Sequence, residues 1–299
     1  MIYREAGQFK TTYASDQAIF PIPQDRVFVA LVIAIALAVP LVASEYWLQA
    51  ILIPFLVYSL AAIGLNLLTG LCRPALAGDG RLHGGGRVLG VQAHHRLPGI
   101  NIIAVFLFGG LCAAAVGILF GIPSLRIKGF YLAVATLAAQ FFLVWLFNKV
   151  AWFTNYASSG TITAPPRAVL GVMVTGPQAT PQMRYLTALV VVGLFALAAK
   201  NLVRGRVGRA WMAIRDRDIA AEIIGIRPLR TKLLAFAISS FYCGVAGAEL
   251  VFLYLGSAET LAFDIALSFL VLFMVIIGGL GACSARSWAR GSSCCCPSS

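Results

Sequence analysis

Residues 100–121 read INIIAVFLFGGLCAAAVGILFG, a stretch in which no side chain is charged. A helix rises about 1.5 Å per residue, so about 20 consecutive apolar residues span the hydrocarbon core of a bilayer. The glycines within the stretch are compatible with a membrane helix, because small residues let neighbouring helices approach closely. This stretch therefore predicts a transmembrane helix.

The whole chain has the composition of a membrane protein. Of its 299 residues, 60% are hydrophobic and only 11% are charged, whereas soluble domains carry about 25% charged residues. The apolar stretches that are long enough to be spans are 27–43, 47–70, 100–121, 129–150, 185–203, 233–255 and 263–281. We therefore predict an all-α fold, a polytopic transmembrane helical bundle over residues 27–299, preceded by a polar segment over 1–26.

The basic residues behind the net charge of +12 fall in short segments between the spans. Lys and Arg are concentrated at 122–128 and 200–232, whereas 151–184 is rich in Thr, Ser, Gly and Pro. Cytoplasmic loops are enriched in Lys and Arg, so the two basic segments are predicted to face the cytoplasm and 151–184 the outside. This distribution differs from the basic patch of a soluble nucleic-acid-binding module, and no nucleic-acid partner is expected.

The segment 72–98 breaks the apolar pattern, since it contains Arg, Asp and three His residues. The histidines His83, His94 and His95 could suggest a metal site, and Gly78-Asp79-Gly80 a phosphate loop. The glycine spacing is not G-x-G-x-x-G and no strand precedes it. The consecutive Cys294, Cys295 and Cys296 likewise lack the spacing of a zinc site. We therefore expect neither a metal nor a cofactor.

We hypothesise that a shifted reading frame explains both the segment 71–98 and the Cys-, Ser- and Trp-rich end at 282–299. Cys and Trp codons begin with T, as do most Ser codons, and a frame one base earlier places this T in the middle of the codon. Every codon with T in the middle encodes an apolar residue, so 282–299 becomes a membrane helix. A frame one base later gives 71–98 a largely apolar sequence, and a crossing there would place the N-terminus on the side of the basic loops.

Five stretches, in family order, resemble the LivM-type permease of branched-chain amino-acid ABC importers. They are 64–70 (GLNLLTG), 123–137 (PSLRIKGFYLAVATL), 208–225 (GRAWMAIRDRDIAAEIIG), 232–240 (KLLAFAISS) and 276–281 (IIGGLG). The resemblance implies a permease subunit in the cytoplasmic (inner) membrane that carries branched-chain or related hydrophobic amino acids. It implies as partners a second permease subunit, two ATP-binding cassette subunits and an external substrate-binding protein. ATP would be hydrolysed on the cassette subunits, so this chain is not expected to be an enzyme.

The resemblance also implies a role for the segment 204–231, in which 218–225 is similar to the cytoplasmic helix that couples ABC permeases to their ATPases. A short amphipathic helix can lie in a groove of a partner. Asp218 and Glu222 are separated by one helical turn and share a face, with Arg215 beside them. The candidate ATPase-coupling residues are Arg215, Asp218, Ala221, Glu222 and Gly225. The alternative is a solvated basic loop that only fixes the topology.

Polar residues inside the spans are the candidates for a translocation path, because they are unfavourable in lipid unless they have a function or a partner. These candidates are Asn66, Thr69, Gln140 and Glu249. Hydrogen bonding between helices is the alternative for the first three, and an error in the sequence is the alternative for Glu249. Two other functions remain open, a membrane-embedded enzyme that uses the histidines and a stand-alone secondary transporter.

Overall fold

A computed structural model describes residues 23–72, 102–124, 179–259 and 265–278, with isolated positions and short strands between 138 and 176. Apart from a few positions, the predicted span 129–150 with Gln140 lies outside the described residues. The predicted reading-frame segments, from residue 73 to 98 and from 282 onward, lie outside them as well.

The chain divides into two compact units, residues 1–43 and residues 44–299. The first contains helix α1, Pro23–Val42, which begins at a proline and has Pro40 in its last turn. Proline suits the first turn of a helix because the amide hydrogen it lacks has no partner there. The helix is apolar from Arg26 to Val42.

The second unit is built from long apolar helices. A π-helical turn, Trp47–Leu52, continues into α2, Ile53–Cys72. Helix α3 is Ile102–Ser124 and α4 is Pro181–Arg204, and two short helices, α5 (Arg206–Asp216) and α6 (Asp218–Ile223), follow. Helix α7, Pro228–Glu249, continues as a π-helical turn, Leu250–Leu255, and α8 is Ile265–Gly278.

Four helical stretches in the described residues are long and apolar enough to cross a membrane. They are Trp47–Gly70, Ile102–Ile122, Pro181–Arg204 and Pro228–Leu255. The strands are minor and pair antiparallel: β1 (Thr161–Thr163) with β4 (Ser257–Glu259), and β2 (Ala168–Val169) with β3 (Val172–Met173). The predicted all-α polytopic bundle is thereby confirmed.

Helix α7 is the central helix of this unit. In its most apolar part 83% of the residues are buried, against 28–44% in the other three long helices, so the others surround it. Close packing depends on glycine: a Cβ added at Gly117 would lie 2.1 Å from Ser240 Oγ, and one at Gly244 would lie 2.4 Å from Ala113 Cβ. Small residues of this kind let membrane helices approach each other closely.

Helices α2, α3 and α4 run antiparallel to α7. The Phe106 ring lies 6.1 Å from that of Phe252 near one end of α3, and Gly121 near the other end packs on Phe236. Because α2 and α3 run in the same direction, Cys72 and Ile102 lie at opposite ends of the bundle. The predicted crossing between them falls outside the described residues.

Candidate functional site

Helix α5 forms a base for the candidate coupling segment, at the end of the bundle where α4 finishes and α7 begins (the basic end). Gly208, Trp211 and Ile214 are buried on one face of α5 at intervals of three residues. The Trp211 side chain is fully buried, and its Nε1 donates a hydrogen bond to the Thr231 carbonyl at 3.1 Å. A Cβ at Gly208 would lie 2.0 Å from the Val203 carbonyl oxygen, so the turn from α4 into α5 requires glycine there.

Helix α6 begins at Asp218, whose carboxylate contacts the Lys232 ammonium group at 2.8 Å. Lys232 lies in the second turn of α7, so this ion pair connects the start of α6 to α7. Both side chains are partly exposed, and an ion pair of this kind contributes about 0–1 kcal/mol. The Asp218 side chain therefore contributes a weak contact between the start of α6 and α7.

Helix α6 ends in a Schellman motif at Gly225, which has φ +93°. The Gly225 amide donates to the Glu222 carbonyl and the Ile226 amide to the Ala221 carbonyl, each at 3.0 Å. This pair of hydrogen bonds satisfies the last carbonyls of a helix and places a residue in the left-handed region, where glycine is favoured. The side chain of Ala221 is buried, so it faces the interior, while Glu222 is exposed.

The most exposed apolar residues of this segment are isoleucines that the sequence interpretation did not select. Ile219 and Ile224 are each 77% exposed, and Ile223 is 81% exposed. They form an apolar surface on a short helix at the basic end, which we call the isoleucine patch. Their spacing of four and five residues, in an otherwise charged segment, is the signal that could have identified them.

Arg215 lies on α5, in its last turn at the basic end. Its guanidinium NH1 donates a hydrogen bond to the Gly70 carbonyl at 3.3 Å, and its Nε lies 3.4 Å from an Asp216 carboxylate oxygen. Gly70 lies in the last turn of α2, where carbonyl groups lack partners within the helix. Arg215 thus connects α5 to the end of α2, and its position beside Asp218 and Glu222 stays a prediction.

The candidate path residues of α2 lie on one half-buried side. Thr69 Oγ1 donates to the Leu65 carbonyl at 2.9 Å, within its own helix. Asn66 is half-buried and lies two turns after Ser59, whose hydroxyl donates to the Leu56 carbonyl at 2.7 Å. Next to Thr69, the Gly70 carbonyl accepts the hydrogen bond from Arg215, one of the coupling candidates. Whether these residues contact the substrate stays a prediction.

Glu249 is fully buried at the last position of α7, immediately before the π-helical turn. Within the described part of the chain, neither of its carboxylate oxygens has a hydrogen-bond partner. The residue lies far along α7 from the basic end. The described residues contain no group of three or more His, Cys, Asp or Glu that could hold a metal ion, and His83, His94 and His95 lie outside them.

Comparison with known proteins agrees with the family resemblance found in the sequence. The family model described as "Branched-chain amino acid transport system / permease component" matches residues 47–292. Two relatives named "High-affinity branched-chain amino acid transport system permease protein LivM", from Escherichia coli (strain K12) and Salmonella typhimurium (strain LT2), are each 29% identical over 278 residues. The alignment covers 86% of this chain and 64% of each relative.

No solved structure matches the chain. The chain spans a little under two thirds of the length of these two relatives, and the family match covers both the long helices and the isoleucine patch. The apolar helices and this match together make it a multi-pass protein of the inner membrane. The chain belongs to the family of the permease component of the branched-chain amino acid transport system.

Proposed function

We propose that this chain is a membrane-spanning permease subunit of an ATP-driven importer and translocates branched-chain or related hydrophobic amino acids across the cytoplasmic membrane. Its partners would be a second permease subunit, two ATP-binding cassette subunits and an external substrate-binding protein. ATP hydrolysis would take place on the cassette subunits, and this chain would transmit the conformational change.

The observation that carries the proposal is the isoleucine patch on α6. Apolar side chains that are about four-fifths exposed at an end of the bundle rich in arginine are unusual, because that end faces water. An exposed apolar surface with a polar rim is typical of a docking site. A helix presenting such residues fits an apolar groove on a partner, here a cassette subunit. The exposed Glu222 and the cations of 204–231 would form the polar rim.

The attachment of α6 explains how a docked partner could move the spans. The Asp218–Lys232 ion pair connects α6 to α7, and Arg215 connects α5 to the end of α2. Trp211 joins α5 to Thr231 at the start of α7. A force on α6 therefore reaches two long helices through short, specific contacts. No observation of the described residues favours a membrane-embedded enzyme or a stand-alone secondary transporter.

The experiment compares Glu222→Lys and Gly225→Trp with the wild-type sequence in the frame-corrected protein. Glu222→Lys reverses the charge beside the isoleucine patch, and any residue other than glycine at Gly225 is strained at φ +93°, by about 1–2 kcal/mol. Both variants should lose uptake of branched-chain amino acids in vesicles reconstituted with the partner subunits. They should also lose the stimulation of ATPase activity by the binding protein.

Arg209→Lys on the exposed side of α5 is the matched control, because it keeps the charge of the basic end and leaves α6 intact. It should transport like the wild type. Insertion should survive in all three variants, since none of the positions lies within a long helix. If uptake stays near wild type in both α6 variants, α6 is only part of a loop that fixes the topology, and the coupling role of Asp218, Glu222 and Gly225 is withdrawn.

A further inference from the structure

Glu249 is a buried carboxylate without a partner among the residues that the structure describes. Leu255, the end of the helical stretch, is six residues further along, so Glu249 lies about 9 Å from that end along the helix axis. Burying an ionised carboxylate without compensation is strongly unfavourable, and ionisable residues within membrane spans commonly mark substrate or ion pathways. The Glu249 carboxyl group therefore has unused capacity to accept hydrogen bonds from a cation or another donor.

A second incompletely satisfied charge lies at the same end of the bundle. Arg184 is in the first turn of α4, and one terminal nitrogen of its guanidinium group donates a hydrogen bond to the Gly176 carbonyl. Its Nε is buried and has no acceptor in the described part of the chain. The guanidinium group is thus fixed on one side and retains donor capacity on another.

The two charges lie on helix sides that face each other. Tyr242 on α7 donates a hydrogen bond to the Phe195 carbonyl of α4 at 3.0 Å, and the two rings are 5.2 Å apart. Glu249 follows Tyr242 by seven residues, about two turns, and Arg184 precedes Phe195 by eleven, about three turns. Because α4 and α7 are antiparallel, both steps lead from this contact toward the same end. Ala188, between Arg184 and Phe195 on the same stripe of α4, is fully buried.

We propose that Glu249 and Arg184 bind a zwitterionic α-amino acid between α4 and α7. The Glu249 carboxylate accepts hydrogen bonds from the ammonium group, and the Arg184 guanidinium donates to the carboxylate of the ligand. The chain neighbours of Glu249, which are Ala248 on α7 and Leu250 and Val251 in the π-helical turn, are buried and apolar, which suits an aliphatic side chain. The choice of an amino acid as ligand rests on the proposed function; the pair of opposite, unsatisfied charges is independent of it.

The experiment measures binding of three ligands to the full-length chain in lipid nanodiscs, each by equilibrium dialysis. L-Leucine carries both charges, 3-methylbutylamine carries only the ammonium group, and 4-methylpentanoate carries only the carboxylate. Glu249→Gln should weaken binding of leucine and of the amine by about tenfold or more and leave the carboxylate probe within about twofold. Arg184→Gln should give the reverse pattern, with the carboxylate probe weakened and the amine unchanged.

Arg209→Gln, at an exposed position of the basic end, is the control and should bind all three ligands like the wild type. Glu249→Asp keeps the carboxylate and should keep the wild-type order of affinities for the three ligands. It is the second variant to be measured if Glu249→Gln does not yield a monodisperse protein. The proposal is overturned if the two glutamine variants bind like the wild type, or if each weakens all three ligands equally, which is the result of a purely structural role.

The binding assay requires neither nucleotide nor partner subunits, so its result is separable from the coupling proposal. A wild-type chain that binds no leucine overturns the zwitterion site and leaves the α6 experiments unaffected. Binding with the expected probe pattern, together with intact uptake in Glu222→Lys and Gly225→Trp, supports the site and removes only the coupling role.

Discussion

Replacing Ile219, Ile223 and Ile224 together by alanine is expected to release the ATP-binding cassette partner. Complete burial of an isoleucine side chain contributes about 1.5–3 kcal/mol. The three side chains are 77%, 81% and 77% exposed in the isolated chain, so docking can bury roughly four-fifths of each. Alanine removes three of the four side-chain carbons, which leaves a loss of about 1–2 kcal/mol per position and about 3–6 kcal/mol for the triple variant.

Each 1.4 kcal/mol corresponds to a tenfold change in affinity. The single variant Ile223→Ala should therefore weaken binding of the cassette subunit by about 5- to 30-fold, and the triple variant by more than about a hundredfold. The assay is the dissociation constant of the purified cassette subunit for the chain in nanodiscs, measured by surface plasmon resonance. Helix α6 should persist in these variants, because its buried Ala221, its ion pair and the Gly225 turn are unchanged.

Arg209→Ala, which removes an exposed side chain from α5, is the control and should change the affinity by less than about fivefold, since surface charges contribute about 0–1 kcal/mol. A triple variant that binds the cassette subunit within about twofold of the wild type would refute the reasoning, because α6 would then bury no apolar surface on docking.

Three further predictions follow from the fold and the sequence. Resequencing the gene should reveal compensating single-base shifts near codons 70–71 and 98 and another near 282; confirmation of every base, with relatives sharing Arg81, would end that hypothesis. In a frame-corrected, cysteine-free background, Arg209→Cys should react with an impermeant maleimide only after the cells are opened, and labelling in intact cells would reverse the predicted topology. Gly244→Ala should lower the free energy of unfolding in detergent by about 1–3 kcal/mol, because the new Cβ is overpacked against Ala113. Gly193→Ala is the control and should leave this free energy unchanged, since nothing lies within 4 Å of its new Cβ. Equal effects of the two variants would contradict the packing described for α7.

The long helices followed from the sequence because their cause is local. An uncharged stretch such as 100–121 has to satisfy its own backbone hydrogen bonds in lipid, and a helix does this without help from the rest of the chain. The Lys and Arg residues of 200–232 likewise predicted a basic segment between two spans, and α5 and α6 lie within this segment. The family resemblance of 208–225 agreed with the family match over 47–292.

What the sequence left open depends on contacts between residues that are far apart in the chain. It did not indicate that α7 is central, since that is decided by close packing of Gly117 and Gly244 against neighbouring helices. It also did not indicate the hydrogen bond from Arg215 to Gly70, which joins residues 145 positions apart.

The isoleucine patch and the unpartnered carboxylate of Glu249 are also properties of the tertiary structure. Periodicity marks a residue as apolar or charged, but only the packed bundle shows that Ile223 is exposed and Glu249 is buried. Sequence by itself determined the membrane class, the long helices and the position of the basic segment, because these depend on composition and local spacing. The tertiary structure decided which polar groups lack partners and which apolar groups face water, because burial is set by the neighbouring helices.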